Sequence, residues 1–161
     1  MQASNPRKDL MPKLTDEVLR RLTDPALDVI RQARQVAGDL NHPYARPEHL
    51  MLGLLLQPTS VAAEVLRASG VTPEAYRTQI IERTGDGHAG EADNTPLSPR
   101  TQRVLEMALG MEPSIQAVGT EHLLVCMIRQ GGEAIAILQE LGVDVRQIRH
   151  GLESMIYATR R

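Results

Sequence analysis

Apolar residues recur at helical spacing along most of this 161-residue chain. Ala26, Ile30, Ala33, Ala37 and Leu40 follow one another at steps of four and three, which puts all five on one face of a helix. Thr23 suits its N-cap, and Pro25 is tolerated in the first turn, where a backbone N–H needs no partner. The next helix opens near Pro47-Glu48 and carries Leu50, Leu52, Leu54 and Leu55. It is apolar on most sides, which predicts a buried central helix. A third, short helix follows Ser60 and stops at Gly70, a residue type suited to the position after a helix end. Thr72-Pro73-Glu74 caps a fourth, which presents Tyr76 and Ile80. No segment alternates convincingly between apolar and polar, so the expected fold class is all-α with essentially no sheet.

The pattern then repeats. Glu48-His49-Leu50 returns as Glu121-His122-Leu123, each leading into an apolar run. Val65 to Val71 matches Ile137 to Val143, and Leu22-Thr23-Asp24-Pro25 resembles Leu97-Ser98-Pro99-Arg100. The offset falls from 75 through 73 to 72 along the repeat, as small deletions in the second copy would produce. Val145, Ile148, Leu152 and Ile156 then mark its fourth helix. The expected organisation is a basic extension at 1–21, a first repeat at 22–84, a linker at 85–96 and a second repeat at 97–157. Gly and polar residues dominate the linker, and His88 within it reads as a solvated loop residue. One repeat alone would leave its apolar face in water. Two repeats packed about a pseudo-twofold axis, with about eight helices in all, bury both faces.

Composition narrows the function classes. Phe and Trp are absent, so the core must be built from Leu, Ile, Val, Ala and Met, with Tyr44, Tyr76 and Tyr157 the only aromatics of their kind. A net charge of −2 leaves no overall electrostatic footprint for nucleic acid. Arg7, Lys8, Lys13, Arg20 and Arg21 do crowd the N-terminal segment; they read as a solvated tail, with a DNA-associated regulator as the alternative. Cys126, the single cysteine, lies in an apolar run and reads as a buried, inert thiol. No apolar stretch approaches the roughly 20 residues of a membrane span, and the N-terminus lacks an apolar signal segment, which together predict a cytoplasmic protein.

Ala33, the run from Leu40-Asn41-His42-Pro43-Tyr44-Ala45-Arg46-Pro47-Glu48-His49-Leu50 to Leu55, and the second-copy Val118-Gly119-Thr120-Glu121-His122-Leu123-Leu124 closely resemble the repeat of the Clp N-terminal domain. That domain precedes the ATPase modules of ClpA-, ClpB- and ClpC-type unfoldases. The resemblance runs from about Leu22 to Tyr157. It implies eight helices in two pseudo-symmetric bundles, and a role in docking substrates and adaptors onto a protein-unfolding machine. Partners would be Clp unfoldase or protease subunits, adaptors or substrates, with no membrane or cofactor. In ClpC-type relatives each repeat can receive a phosphorylated arginine. Carried across by position, the resemblance implies Thr23 with Glu48, and Ser98 with Glu121: the carboxylate for the guanidinium, the helix-opening hydroxyl beside the phosphate.

Three departures qualify this. Leu22 and Leu97 stand where relatives usually have Phe, so aromatic anchors for partners are missing. Ser98 replaces a Thr. The second copy is shortened between Ala108 and Glu121, where Gly110 and Pro113 interrupt a helix, so the second pocket is expected to be the weaker. The sequence contains no G-x-x-x-x-G-K-[ST] loop for ATP, so the expectation is a non-catalytic binding module, stand-alone in preference to the alternative of a piece of a longer ATPase. His49 and His122 read as structural histidines at the repeat interface, since their spacing is not that of a zinc site. Ser60, Ser69 and Ser98 lack the context of a nucleophile elbow.

Overall fold

A computed structural model describes residues 20–58, 60–84, 95–111 and 117–158. Residues 1–19 of the expected extension, residues 85–94 of the linker with His88, and Pro113 lie outside the described residues. Those described hold eight α-helices: α1 (Asp24–Asp39), α2 (Pro47–Leu56), α3 (Val61–Ala68), α4 (Pro73–Thr84), α5 (Pro99–Leu109), α6 (Thr120–Gln130), α7 (Glu133–Glu140) and α8 (Val145–Ala158). The first four repeat as the second four.

Five of the eight helices start at a residue whose side chain caps them. Thr23 and Ser98 are extended N-caps, whose hydroxyl oxygens accept from Ala26 N–H at 3.2 Å and Thr101 N–H at 3.2 Å. Thr72 and Asp144 do the same for α4 and α8, accepting from Ala75 N–H at 3.1 Å and Gln147 N–H at 3.1 Å. The turns between α3 and α4 and between α7 and α8 pass through Gly70 at φ +91° and Gly142 at φ +86°. A side chain is strained there. α5 ends at Leu109, with Gly110 as its C-cap, earlier in its repeat than α1 ends in the first.

The five stripe residues of α1 are all buried, as the spacing predicts. In α2 every residue from Pro47 to Leu55 is buried, so it is the central helix expected of its repeat. Gly53 explains how α1 and α2 come so close. A Cβ at this position would stand 2.7 Å from the Val29 carbonyl oxygen. The matching position in α6 is Cys126, fully buried, whose thiol is pushed up to about 11 by burial and stays protonated at neutral pH.

The repeats interlock reciprocally. α2 packs on α7 as α6 packs on α3, and α2 and α6 also touch each other at the centre. Two isolated parallel bridges join the copies: Leu22 with Val118, and Ala45 with Leu97. In the first, Val118 N–H donates to Arg21 O at 2.7 Å and Thr23 N–H to Val118 O at 3.0 Å; in the second, Ala45 N–H donates to Pro96 O at 2.8 Å and Ser98 N–H to Ala45 O at 3.0 Å. These bridges are the only extended pairing among the described residues, which otherwise form no sheet. Leu22 and Leu97 sit in them as core residues.

One contact breaks the symmetry. Tyr76 of α4 is fully buried and its hydroxyl donates to Ala134 O of α7 at 2.8 Å. Burial pushes that phenol well above its ordinary pKa. Ile148 holds the matching place on α8 and has no such reach. There a cleft of about 550 Å³ separates α3 from α8, lined by Val65, Ile148 and Met155 among others.

Candidate functional site

The bridges decide which residues share a site. They run between repeats, so the cap of α5 lies beside the start of α2, and the cap of α1 beside the start of α6. Ser98 and Glu48 therefore line the same cleft, and Thr23 N–H is bonded to Val118 O, two residues before α6 opens. The resemblance implied pairs within each repeat, Thr23 with Glu48 and Ser98 with Glu121; the structure puts Glu48 and Ser98 on one cleft, which Thr23 does not line. The backbone hydrogen bonds exchanged between the repeats account for that placement.

Glu48 and Ser98 line one cleft of about 600 Å³. Its walls come from the first turns of α2, α5 and α7 and the end of α4. The dipoles of three helix N-termini favour negative charge there. Arg46, Arg83 and Arg100 also line it. The Glu48 side chain is only 5% exposed, and its carboxylate lies 3.6 Å from Arg46 Nε. Arg83 is paired with Glu133 of α7. The Ser98 hydroxyl is committed elsewhere. Thr101 donates its own hydroxyl proton to Ala45 O at 2.8 Å, so the 3.0 Å contact between the two hydroxyls is donated by Ser98.

Behind the cleft runs a directed chain of hydrogen bonds. His49 Nδ1 accepts from Arg46 N–H at 2.8 Å, the returning half of a capping box. Its proton therefore sits on Nε2, which donates to His42 Nδ1 at 2.8 Å. His42 in turn presents Nε2–H to Thr84 Oγ1 at 3.4 Å, and Thr84 donates to Ile80 O at 2.7 Å. Burial, then the neighbouring His42 and Arg46, lowers His49 to about 3. It is a neutral, structural histidine. His122 repeats the capping half, accepting from Gly119 N–H at 2.9 Å, and burial lowers it too against the opposing pull of Glu121.

The counterpart around Thr23 and Glu121 is chemically poorer. At the offsets of the repeat, Arg46 becomes Gly119, Arg83 becomes Met155, Arg100 becomes Pro25 and Glu133 becomes Val61. Every arginine is lost. The Glu121 side chain is 23% exposed and folds back over Gly119, where any Cβ would collide with its Oε1. No other residue of the second copy restores the positive charge among those matched positions.

Sequence reasoning found the glutamates and the caps but missed the three arginines and the His42–His49 chain. The signal available was Arg46, which stands where the second copy has Gly119. Among the described residues no cluster of His, Cys, Asp and Glu could hold a metal, and no single helix is long and apolar enough to cross a membrane.

Comparison with known proteins agrees with this architecture. The Clp repeat (R) N-terminal domain family matches residues 21–115. An ATP-dependent Clp protease ATP-binding subunit ClpA homolog of Cyanidium caldarium is 34% identical over 145 residues, covering 88% of this chain and 17% of the relative. The chloroplastic chaperone protein ClpC2 of Oryza sativa subsp. japonica is 34% identical over 149 residues, covering 91% of this chain and 16% of its own length. The chain thus spans about one sixth of these relatives. The crystal structure of the N-terminal domain of the caseinolytic protease associated chaperone ClpD from Arabidopsis thaliana superposes with a TM-score of 0.75, at 20% identity, over 89% of this chain and 99% of that one. That likeness concerns the fold.

Proposed function

The chain belongs to the Clp repeat N-terminal domain family, and on that premise we propose that it is a non-catalytic docking module of Clp protein quality control, working in the cytoplasm. It binds Clp subunits, adaptors or substrates, and it captures a phosphorylated arginine side chain in the cleft between α2 and α5. One observation carries this reading: a nearly buried carboxylate, Glu48, shares a cleft with three arginines and three helix N-termini. A phosphorylated guanidinium is cationic at one end and anionic at the other, and the cleft offers both complements. The Thr23 and Glu121 pair would contribute little, since its matched positions carry no arginine.

Calorimetry with a phosphoarginine peptide tests this. Glu48→Ala should weaken binding by tenfold or more, on the order expected for losing a charge-assisted pair. Unchanged affinity in a variant that melts like the wild type would defeat the assignment.

A further inference from the structure

The Ser98 hydroxyl proton already goes to Thr101, so it has none to give a phosphate. The donors available in the cleft are guanidinium groups. The Arg100 guanidinium lies against Gly132, where a Cβ would stand 2.5 Å from its Nη2, and among the described residues its side-chain hydrogen bond, to Gly131 O at 3.4 Å, is at the limit of such a contact. It sits in the first turn of α5, where the helix dipole disfavours a cation and an incoming anion would relieve it. Arg46 Nε is buried without a hydrogen-bond partner. Arg83 holds an ion pair across the repeats: its Nη1 donates to Glu133 Oε1 of α7.

We propose that Arg83 is an exchangeable ligand of the cleft: a phosphoryl group bound beside Arg46 and Arg100 takes Arg83 from Glu133. The inference rests on the phosphoarginine reading above and adds to it a competitor built into the chain. Glu133 at the first turn of α7 occupies Arg83 while the cleft is empty, which limits three positive charges in one small volume. The dianion offers Arg83 more charge than one half-exposed carboxylate does. The exchange also releases one of the ties between α4 and α7, so occupancy of the cleft is felt at the junction of the two repeats.

The test uses the full chain, calorimetry, and the same peptide with phosphorylated or unmodified arginine. Removing the competitor should help the ligand: Glu133→Gln is expected to tighten phosphopeptide binding by about fivefold, and Arg83→Gln to weaken it by about tenfold. In the Arg83→Gln background Glu133→Gln should then change nothing, a non-additivity that a double-mutant cycle reads directly. Arg83→Lys should recover part of the loss. The unmodified peptide should show no gain from Glu133→Gln. The proposal is overturned if Glu133→Gln weakens phosphopeptide binding, as a purely structural tie would, or if its gain survives without Arg83. If Glu48→Ala abolishes binding while the Arg83 and Glu133 variants leave it unchanged, the exchange fails and the capture reading stands. No binding by the wild-type chain sinks both.

Discussion

The starts of α2 and α6 share a backbone plan and differ in chemistry. Each is reached through a parallel bridge to the other repeat, and each is closed by a histidine that accepts from the residue before the helix. At α2 that preceding residue is Arg46, and the glutamate beside it is nearly buried in a cleft with two further arginines. At α6 it is Gly119, over which Glu121 folds. The difference teaches that a duplicated scaffold holds its geometry through backbone bonds and core packing. The charged residues on its rim are free to diverge, so symmetry of fold does not carry symmetry of binding.

Variants that strike matched positions can break this comparison. The largest effect is expected at the α1–α2 contact. Gly53→Ala should destabilise by about 2–3 kcal/mol, since the new methyl meets backbone that cannot swing away. Its counterpart Cys126→Ala should cost about 1 kcal/mol, for a small loss of buried volume. Urea unfolding of both reads the difference; equal losses would mean the two helix pairs pack alike.

Next comes acid. His49 titrates at about 3 in the fold and near 6.5 when unfolded, so the unfolded chain takes up the proton first as pH falls. The stability due to the neutral ring is complete above about pH 6.5 and declines toward pH 3, by about 2 kcal/mol at pH 5. His49→Gln can keep the cap and the bond to His42 without titrating. It should therefore flatten stability between pH 7 and pH 5 more than His122→Gln does, as followed by urea midpoints. An unaltered acid slope in His49→Gln would place the sensitivity elsewhere.

Smaller again is the α4–α7 tie. Tyr76→Phe removes the hydroxyl's bond to the Ala134 carbonyl, which keeps its donor within α7, and should cost about 1 kcal/mol. Ile148→Val, at the matching place on α8, should cost about 1 kcal/mol because a cleft already adjoins it. The caps close the series: Thr23→Ala and Ser98→Ala should each cost about 1 kcal/mol. Ser98→Ala should be the larger, because it also strips the Thr101 hydroxyl of a donor.

The helices are legible in the sequence because their signals are local. The stripe from Ala26 to Leu40, the apolar run of α2 and the caps at Thr23, Ser60, Thr72 and Ser98 each depend on neighbours a few residues away. The doubling of Glu-His-Leu likewise foretells the pseudo-twofold packing. The site is less legible because it is assembled across repeats. Nothing in the spacing of Thr23 and Glu48 says that Ser98, not Thr23, will share a cleft with Glu48; that follows from two backbone bridges between segments far apart in the chain. Arg83 and Arg100 join the cleft for the same reason, each from a different helix. Gly53 too reads only as one more small residue until α1 is placed against it.

The asymmetry of the two helix starts is tested most directly by counting. Calorimetric titration of the full chain with a phosphoarginine peptide should give one equivalent bound, lost in Glu48→Ala and retained in Glu121→Ala. Two equivalents, or a single one that disappears with Glu121→Ala and survives Glu48→Ala, would contradict the account.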